Sequence, residues 1–285
     1  MKSFPTPPWP EQSQQSPGSF QKMDPRPDHG ESSYAGTGQL EGKVAIITGA
    51  DSGIGRAVAI ACAREGADVV IGYLDEDADA RDTAQWVEKA GRRAVLVKGD
   101  IAESATARAL VGAALESFGK LDVLVNNAGH QVLEADIEKI DDATWRRHFD
   151  VNVHGAFYLV REALEHLEAG ASIIFTSSQN ALKPLPTHVP YAATKAALNN
   201  LVANFAQKWA DRGIRVNSVM PGATWTPLIA SSNPAGSVQD YGSDALPGRP
   251  AQPAEYASAY VMFASDSASY TSGAMLAITG GTVML

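Results

Sequence analysis

The chain predicts a single-domain, Rossmann-type α/β fold: a doubly wound parallel sheet of seven strands with helices on both faces. Three observations carry this. Short apolar runs ending in glycine or a small polar residue alternate with longer segments of helical period. The links between them are short. No internal repeat or change of composition divides the chain beyond residue 40. Parallel strands need crossover helices, so regular β-α alternation implies a sheet covered on both sides.

The first 39 residues stand apart. Pro5, Pro7, Pro8, Pro10, Pro17, Pro25 and Pro27 lie among Gln, Ser and Gly, a composition too poor in apolar surface to offset its ordering entropy. Against a disordered tail stand Phe4, Trp9, Phe20, Met23 and Tyr34. These large anchors suit an arm laid across its own or a neighbouring subunit, and both readings remain open. The domain then spans 40–285. KVAIITG reads as a buried strand, and GIGRAVAIACAREG as a helix closed by Gly66. ADVVIGY is a strand, DTAQWVEKAG a helix, RAVLVKGD a strand and ATARALVGAALESFG a helix. LDVLVNNAG is the fourth strand, and TWRRHFDVNVHGAFYLVREALEHL one long helix. ASIIFTSS is the fifth strand, YAATKAALNNLVANFAQKWADRG another long helix, and IRVNSVMPG the sixth strand. PAEYASAYVMFAS and AMLAITGG close the pattern as helix and strand. The stretch 223–248 breaks the rhythm. It is rich in Pro, Ser, Gly and Asn, and longer than a link requires, as expected of a substrate lid.

Composition narrows the function. The net charge of −9 argues against nucleic acid as a partner. The single cysteine, Cys62, lies in the apolar run AVAIACA. It excludes an intrachain disulfide and a cysteine-rich metal site, and reads as a packed core residue. No metal is expected. The start MKSFPTPPWP has no apolar leader core, and no stretch is long enough to span a bilayer. A soluble, cytoplasmic protein without a membrane partner is the expectation.

TGADSGIG follows the first strand and opens the first helix. There, helix N–H groups and the positive dipole end face a pyrophosphate. Gly49 suits the tight turn, Gly53 close approach of a ligand and Gly55 close packing, with Asp51, Ser52 and Ile54 completing the contact. The spacing is G-x-x-x-G-x-G. At the end of the second strand an acidic residue would bind a ribose 2′-hydroxyl and a basic one a 2′-phosphate. Tyr73 and Leu74 are neither. Asp75, Glu76, Asp77 and Asp79 follow, and their summed field disfavours a 2′-phosphate, so the cofactor expected is NAD or NADP with a lean to NAD. Asp100 ends the third strand, where it could accept from an adenine amino group. In NNAG, Asn127 fits a ligand contact or a tie between strands equally well.

Tyr191 and Lys195 share one helix face at i and i+4. An ordinary phenol, with a pKa near 10, is a poor base at neutral pH, and a neighbouring ammonium should lower that value. Ser178 ends the fifth strand, where open α/β sheets place their ligands.

TGADSGIG, NNAG, the Asn of DVNVHG, the second Ser of IIFTSS, YAATK and PGATWT occur in the order of the short-chain dehydrogenase/reductase family, which the chain resembles from about Leu40 onward. The arm, with KMDPRPDHGE and YAGTGQLEGK, resembles that of a bacterial subgroup of general-stress or glucose-dehydrogenase-like oxidoreductases and aldehyde reductases. The resemblance implies reversible hydride transfer between nicotinamide and a carbonyl carbon. Tyr191 would be the acid/base, Lys195 would tune it and hold the nicotinamide ribose, and Ser178, by its offset from the tyrosine, would bind the substrate carbonyl. Asn152 would hold a water that relays protons to Lys195. Asp100 and Ile101 would frame the adenine. Asn126 and Gly129, with Asn127 and Ala128 between them, would meet the adenosine ribose. Pro221, Gly222, Thr224 and Thr226 would line the nicotinamide side. A homotetramer is also implied. Small aldehydes, ketones or sugar-like alcohols are the substrate classes left open. Trp225, Leu228 and Ile229 would close over them, while His188 fits a solvated loop better than a substrate contact. The alternative function is a dinucleotide-binding sensor or scaffold without turnover.

Overall fold

The computed structural model describes residues 4–234 and 236–284; residues 1–3 of the arm, Ala235 of the 223–248 segment and Leu285 lie outside the described residues. The strands are β1 (Val44–Thr48), β2 (Asp68–Tyr73), β3 (Ala94–Lys98), β4 (Leu121–Asn126), β5 (Leu167–Thr176), β6 (Arg215–Pro221) and β7 (Met275–Ile278). All pair in parallel, in the order β3-β2-β1-β4-β5-β6-β7. The order reverses between β1 and β4, and a ligand crevice opens at the carboxyl ends of strands at such a switch point.

β1 shows why the sheet reads as continuous apolar runs. Ala45 and Ile47 enter a core with α1 (Gly53–Arg64), α2 (Asp77–Lys89) and α8 (Ala257–Ala264). Val44 and Ile46 enter the opposite core, with α3 (Ser104–Phe118), α5 (Ala156–Ala163) and α6 (Val189–Lys208). Alternation of side chains along a strand feeds both faces, so every β1 residue is buried. Cys62 is packed within the first core, and burial pushes its thiol up to about 12.

Two elements differ from expectation. The long helix expected over 144–167 is divided into α4 (Asp142–Phe149), a π-helical turn at Asp150–Gly155, and α5. The wider turn sets Asn152 inward at a place where the helix presses on the end of β3: a Cβ on Gly155 would stand 2.7 Å from the Ile101 carbonyl oxygen. The 223–248 segment contains a short helix, α7 (Pro227–Ser232).

The arm is packed on its own subunit. Trp9 and Met23 are buried with Trp225, Ala230 and Val238 in a small cluster of their own. Phe20 and His29 are also buried, and the Phe20 ring lies 4.1 Å from the Arg56 guanidinium. Arg56 in turn bonds Glu31 of the arm and Thr83 of α2. Tyr34 donates to Glu65 (2.6 Å), whose carboxylate also accepts the Thr37 and Gln39 amides. No helix among the described residues is long and apolar enough to cross a membrane.

Candidate active site

A cleft of about 760 Å³ runs along the carboxyl end of the sheet. Its wall includes Gly49, Asp51, Ser52, Gly53 and Ile54, then Tyr73, Leu74, Asp100, Ile101, Asn127, Ala128 and Gly129, and finally Ser178, Tyr191, Lys195, Pro221, Gly222, Thr224 and Thr226. Three expected residues are off this wall. Gly55 packs beneath the turn, where a Cβ would stand 2.1 Å from the Gly49 carbonyl oxygen. Asn126 was expected at a ribose. It is buried instead against a small internal cavity shared with Asn152, because alternation at the end of β4 sends its amide to the opposite side from Asn127. Asn152 lies behind the wall.

The first turn of α1 is built to receive an anion. Ser52 occupies the N-cap without a side-chain cap bond, so the first helical N–H groups stay available. Gly49 and Gly53 have φ of +62° and +51°. Side chains there would stand 3.1 Å from the Ala128 Cα and 3.2 Å from the Thr226 side chain, filling the cradle. Asn127 ties the cradle together. Its Nδ2 donates to the Thr48 and Gly49 carbonyls, and its Oδ1 accepts from Thr176 Oγ1. The residues present therefore fit the diphosphate of a dinucleotide.

The acidic run after β2 is less charged than its composition suggests. Asp77 is taken by Lys98 (3.0 Å) and by the Tyr73 hydroxyl. Asp79 accepts the Ser19 hydroxyl and the Phe20 amide of the arm. Burial, and a hydrogen bond that the protonated Glu76 donates to Asp75, push Glu76 up to about 8, so Glu76 is mostly protonated at neutral pH. Burial raises Asp51 to about 6, which leaves it mostly ionised at pH 7. The field at this end is weaker than four independent carboxylates would give, because Asp77 is paired and Glu76 protonated, while Asp79 and Asp75 still act on Asp51 and help raise it. Asp100 is also committed: Arg147 of α4 donates to one oxygen (2.7 Å) and the Ala102 amide to the other.

At the far end, β5 and α6 bring three side chains together. The Tyr191 phenol shares a hydrogen bond with Ser178, whose oxygen also accepts the Asn180 amide at 3.1 Å. Ser177 turns away and donates to the Lys195 carbonyl. Lys195 Nζ donates to the Thr176 carbonyl (2.7 Å) and lies 5.3 Å from the Tyr191 ring centroid. The expected lowering of the phenol does not dominate. Burial pushes Tyr191 up to about 12, partly offset by Ser178, and pushes Lys195 down to about 8. Burial disfavours the charged form of both groups, and the ammonium is held on a carbonyl rather than on the phenol oxygen. Asn152 staples this region. Its Nδ2 donates to the His130 carbonyl and to Thr194 Oγ1, and its Oδ1 accepts the His130 amide.

Several wall residues were not legible. His188 is half-buried on the cleft wall rather than solvated. Its ring stands edge-on to Tyr191 at 6.2 Å, and burial lowers its pKa, keeping the imidazole neutral. Gln179 follows Ser178 and directs a buried, unpartnered Oε1 beside Gly222. His130 and Gln131 continue NNAG onto the wall; their position directly after that motif was the available signal. Trp225, expected over the substrate, faces the arm instead: it stacks on Trp9 at 4.4 Å and donates to the Pro25 carbonyl. Leu228 and Ile229 of α7 do line the cleft.

A glycine cradle at a switch point, facing a buried Ser-Tyr-Lys cluster, defines a nicotinamide-dinucleotide oxidoreductase. Residues 49–283 match the family model described as Enoyl-(Acyl carrier protein) reductase. General stress protein 39 of Bacillus subtilis is 43% identical, over 93% of each chain. NADPH-dependent aldehyde reductase 1, chloroplastic, of Arabidopsis thaliana is 38% identical, over 94% of this chain and 96% of its own. A solved short chain dehydrogenase from Burkholderia cenocepacia J2315, in complex with NADP, superposes with a TM-score of 0.80 at 32% identity, over 85% of this chain and 98% of its own. The chain belongs to the short-chain dehydrogenase/reductase family and is an enzyme that binds a nicotinamide dinucleotide.

Proposed function

We propose that this enzyme interconverts an alcohol and a carbonyl, with Tyr191 as the acid/base. The hydrogen-bonded Tyr191–Ser178 pair beside Lys195 is the observation that carries the reading. Bound in the cleft, the dinucleotide would supply or accept the hydride at the carbonyl carbon. Ser178 orients the carbonyl oxygen by hydrogen bond. Tyr191, held protonated by burial, rests as a proton donor and gives its proton to that oxygen during reduction; oxidation reverses the transfer. Lys195, protonated below about pH 8, stabilises the phenolate left behind. A relay through Asn152 would use its backbone carbonyl, since its side-chain amide is held by His130 and Thr194.

NAD is the preferred cofactor in this reading. The Asp51 carboxylate opposes a 2′-phosphate, and Leu74 offers it no charge. The relative from Arabidopsis is NADPH-dependent by name, so the same fold can take the other cofactor. Segment 223–248 is the lid and 1–39 its brace. The substrate is a small aldehyde, ketone or sugar-like alcohol, bounded by Leu228, His188 and Gln179. A homotetramer is supported by Trp145 and Phe157, each 41% exposed on α4 and α5, as apolar surface that another copy would cover. Tyr191→Phe tests the reading: turnover should fall by about 10²–10⁴-fold while dinucleotide affinity holds. A wild-type kcat in that variant refutes the assignment.

A further inference from the structure

The arm does more than shield the lid. Gln14 donates its amide to the Ala230 carbonyl (2.9 Å), and Ser231 Oγ donates to the Pro17 carbonyl (3.2 Å), binding the arm along α7. Gly18 lies so close to Pro227 that a Cβ there would stand 3.1 Å from it. Two residues later the Ser19 hydroxyl and the Phe20 amide bond Asp79 in the first turn of α2. Phe20 also covers Arg56 of α1. The run from Ser16 to Phe20 therefore bridges the first turn of α7 to the first turn of α2. Between those two turns lies the first turn of α1: Thr226, the residue before Pro227, touches Gly53 there, and Asp79 is near enough to Asp51 to raise its pKa. Ser16 and Pro17 line the same cleft as Gly49, Asp51, Ser52, Gly53 and Ile54.

We infer that Ser16 and Pro17 are a further wall of the dinucleotide site, placed over the phosphate-binding turn so that the arm retains the bound cofactor. This rests on the dinucleotide reading of the cleft. A diphosphate on the first turn of α1 would be covered by α7 on one side and by the arm across the top. Release would then require the arm to lift from α7, against the Trp9–Trp225 stack and the bonds from Trp9 to the Gln239 and Tyr241 carbonyls. Trp9, Trp225 and Gln239 do not line the cleft, although Tyr241 does, so the Trp9–Trp225 stack can be weakened without removing a wall residue.

The test uses full-length wild type and Trp9→Ala, with Trp9→Phe as the variant that keeps an aromatic stack. NADH dissociation is followed by fluorescence after a chase with excess oxidised cofactor. Hydrogen exchange of the Gln14, Ser19 and Phe20 amides is measured with and without NADH. The expected result is release about tenfold faster in Trp9→Ala, near wild-type release in Trp9→Phe, and protection of the arm amides by NADH in the wild type. Equal release rates in Trp9→Ala and wild type, or arm amides whose exchange ignores NADH, overturn the arm's role and leave the dinucleotide reading standing. A wild-type protein that binds neither NADH nor NADPH overturns both.

Discussion

Lys195 should make the resting enzyme less stable than it could be. Its side chain is 2% exposed, and burial moves its pKa from an ordinary 10.5 to about 8. Each tenfold step in proton affinity is worth about 1.4 kcal/mol, so the ammonium costs the folded state roughly 3 kcal/mol at pH 7. Lys195→Met keeps an unbranched side chain one atom shorter and removes the charge. It also removes the bond to the Thr176 carbonyl, a loss of about 1 to 2 kcal/mol. The net expectation is a dinucleotide-free variant more stable by about 1 to 2 kcal/mol, or a few degrees in Tm, with turnover lost. The pH dependence fixes the cause. Below pH 8 both folded and unfolded wild type carry the proton and the cost is complete. Between about 8 and 10.5 the folded lysine has lost its proton while the unfolded one retains it, so raising the pH returns roughly 3 kcal/mol to the wild type, closing the gap and then reversing it. Thermal melts of both proteins from pH 7 to 10.5 read this directly. A variant less stable than wild type at pH 7, or a difference that does not shrink as pH rises, refutes the reasoning.

Two predictions concern the cleft walls. Ser178→Ala should lower kcat by about 10²-fold, whereas Ser177→Ala, whose hydroxyl serves the Lys195 carbonyl, should act mainly on stability; equal kcat losses would count against the assignment. The preference for NADH over NADPH should weaken from pH 7 to pH 5.5 as Asp51 takes up a proton near 6, a window in which Glu76 is already protonated. Asp51→Asn should flatten that dependence, and ratios of kcat/KM for the two cofactors measured across the window decide it.

The sheet was legible because apolar alternation at β1 and the six strands after it is set by local pattern alone, and each crossover helix shows its own period. The wall of the cleft was legible where a motif imposes backbone geometry: only glycine suits the positive φ of Gly49 and Gly53. What escaped depends on contacts remote in sequence. The π turn at Asn152 arises where Gly155 presses on Ile101, and nothing in DVNVHG separates it from an ordinary helix. His188 reads as a loop residue until Tyr191 is placed beside it. The charge run after β2 counts as four anions until Lys98 is brought against Asp77 from a distant segment and burial keeps Glu76 protonated. The spacing of Tyr191 and Lys195 points to a lowered phenol, yet burial outweighs that neighbour, and burial belongs to the whole fold.

The same distinction predicts how the arm will fail. Trp225 is fully buried, but its cluster with Trp9, Met23, Ala230 and Val238 is separate from the two cores that cover the sheet. Trp225→Ala removes the stack on Trp9 and the bond to the Pro25 carbonyl, a loss of about 3–5 kcal/mol for a buried tryptophan. In a main core that loss would lower the stability of the whole domain. Here it falls on a satellite that can open alone, because the paired strands β1, β4 and β5 make their contacts elsewhere. The amides of Trp9 and Gln14, bonded to Gln239 and Ala230, should therefore exchange at least a hundredfold faster, since each 1.4 kcal/mol is a factor of ten. Amides of β4 and β5 should keep their wild-type protection. Hydrogen exchange resolved along the chain distinguishes the two cases: loss of protection throughout the sheet would show that the arm and the sheet unfold together, and that the cluster is no satellite.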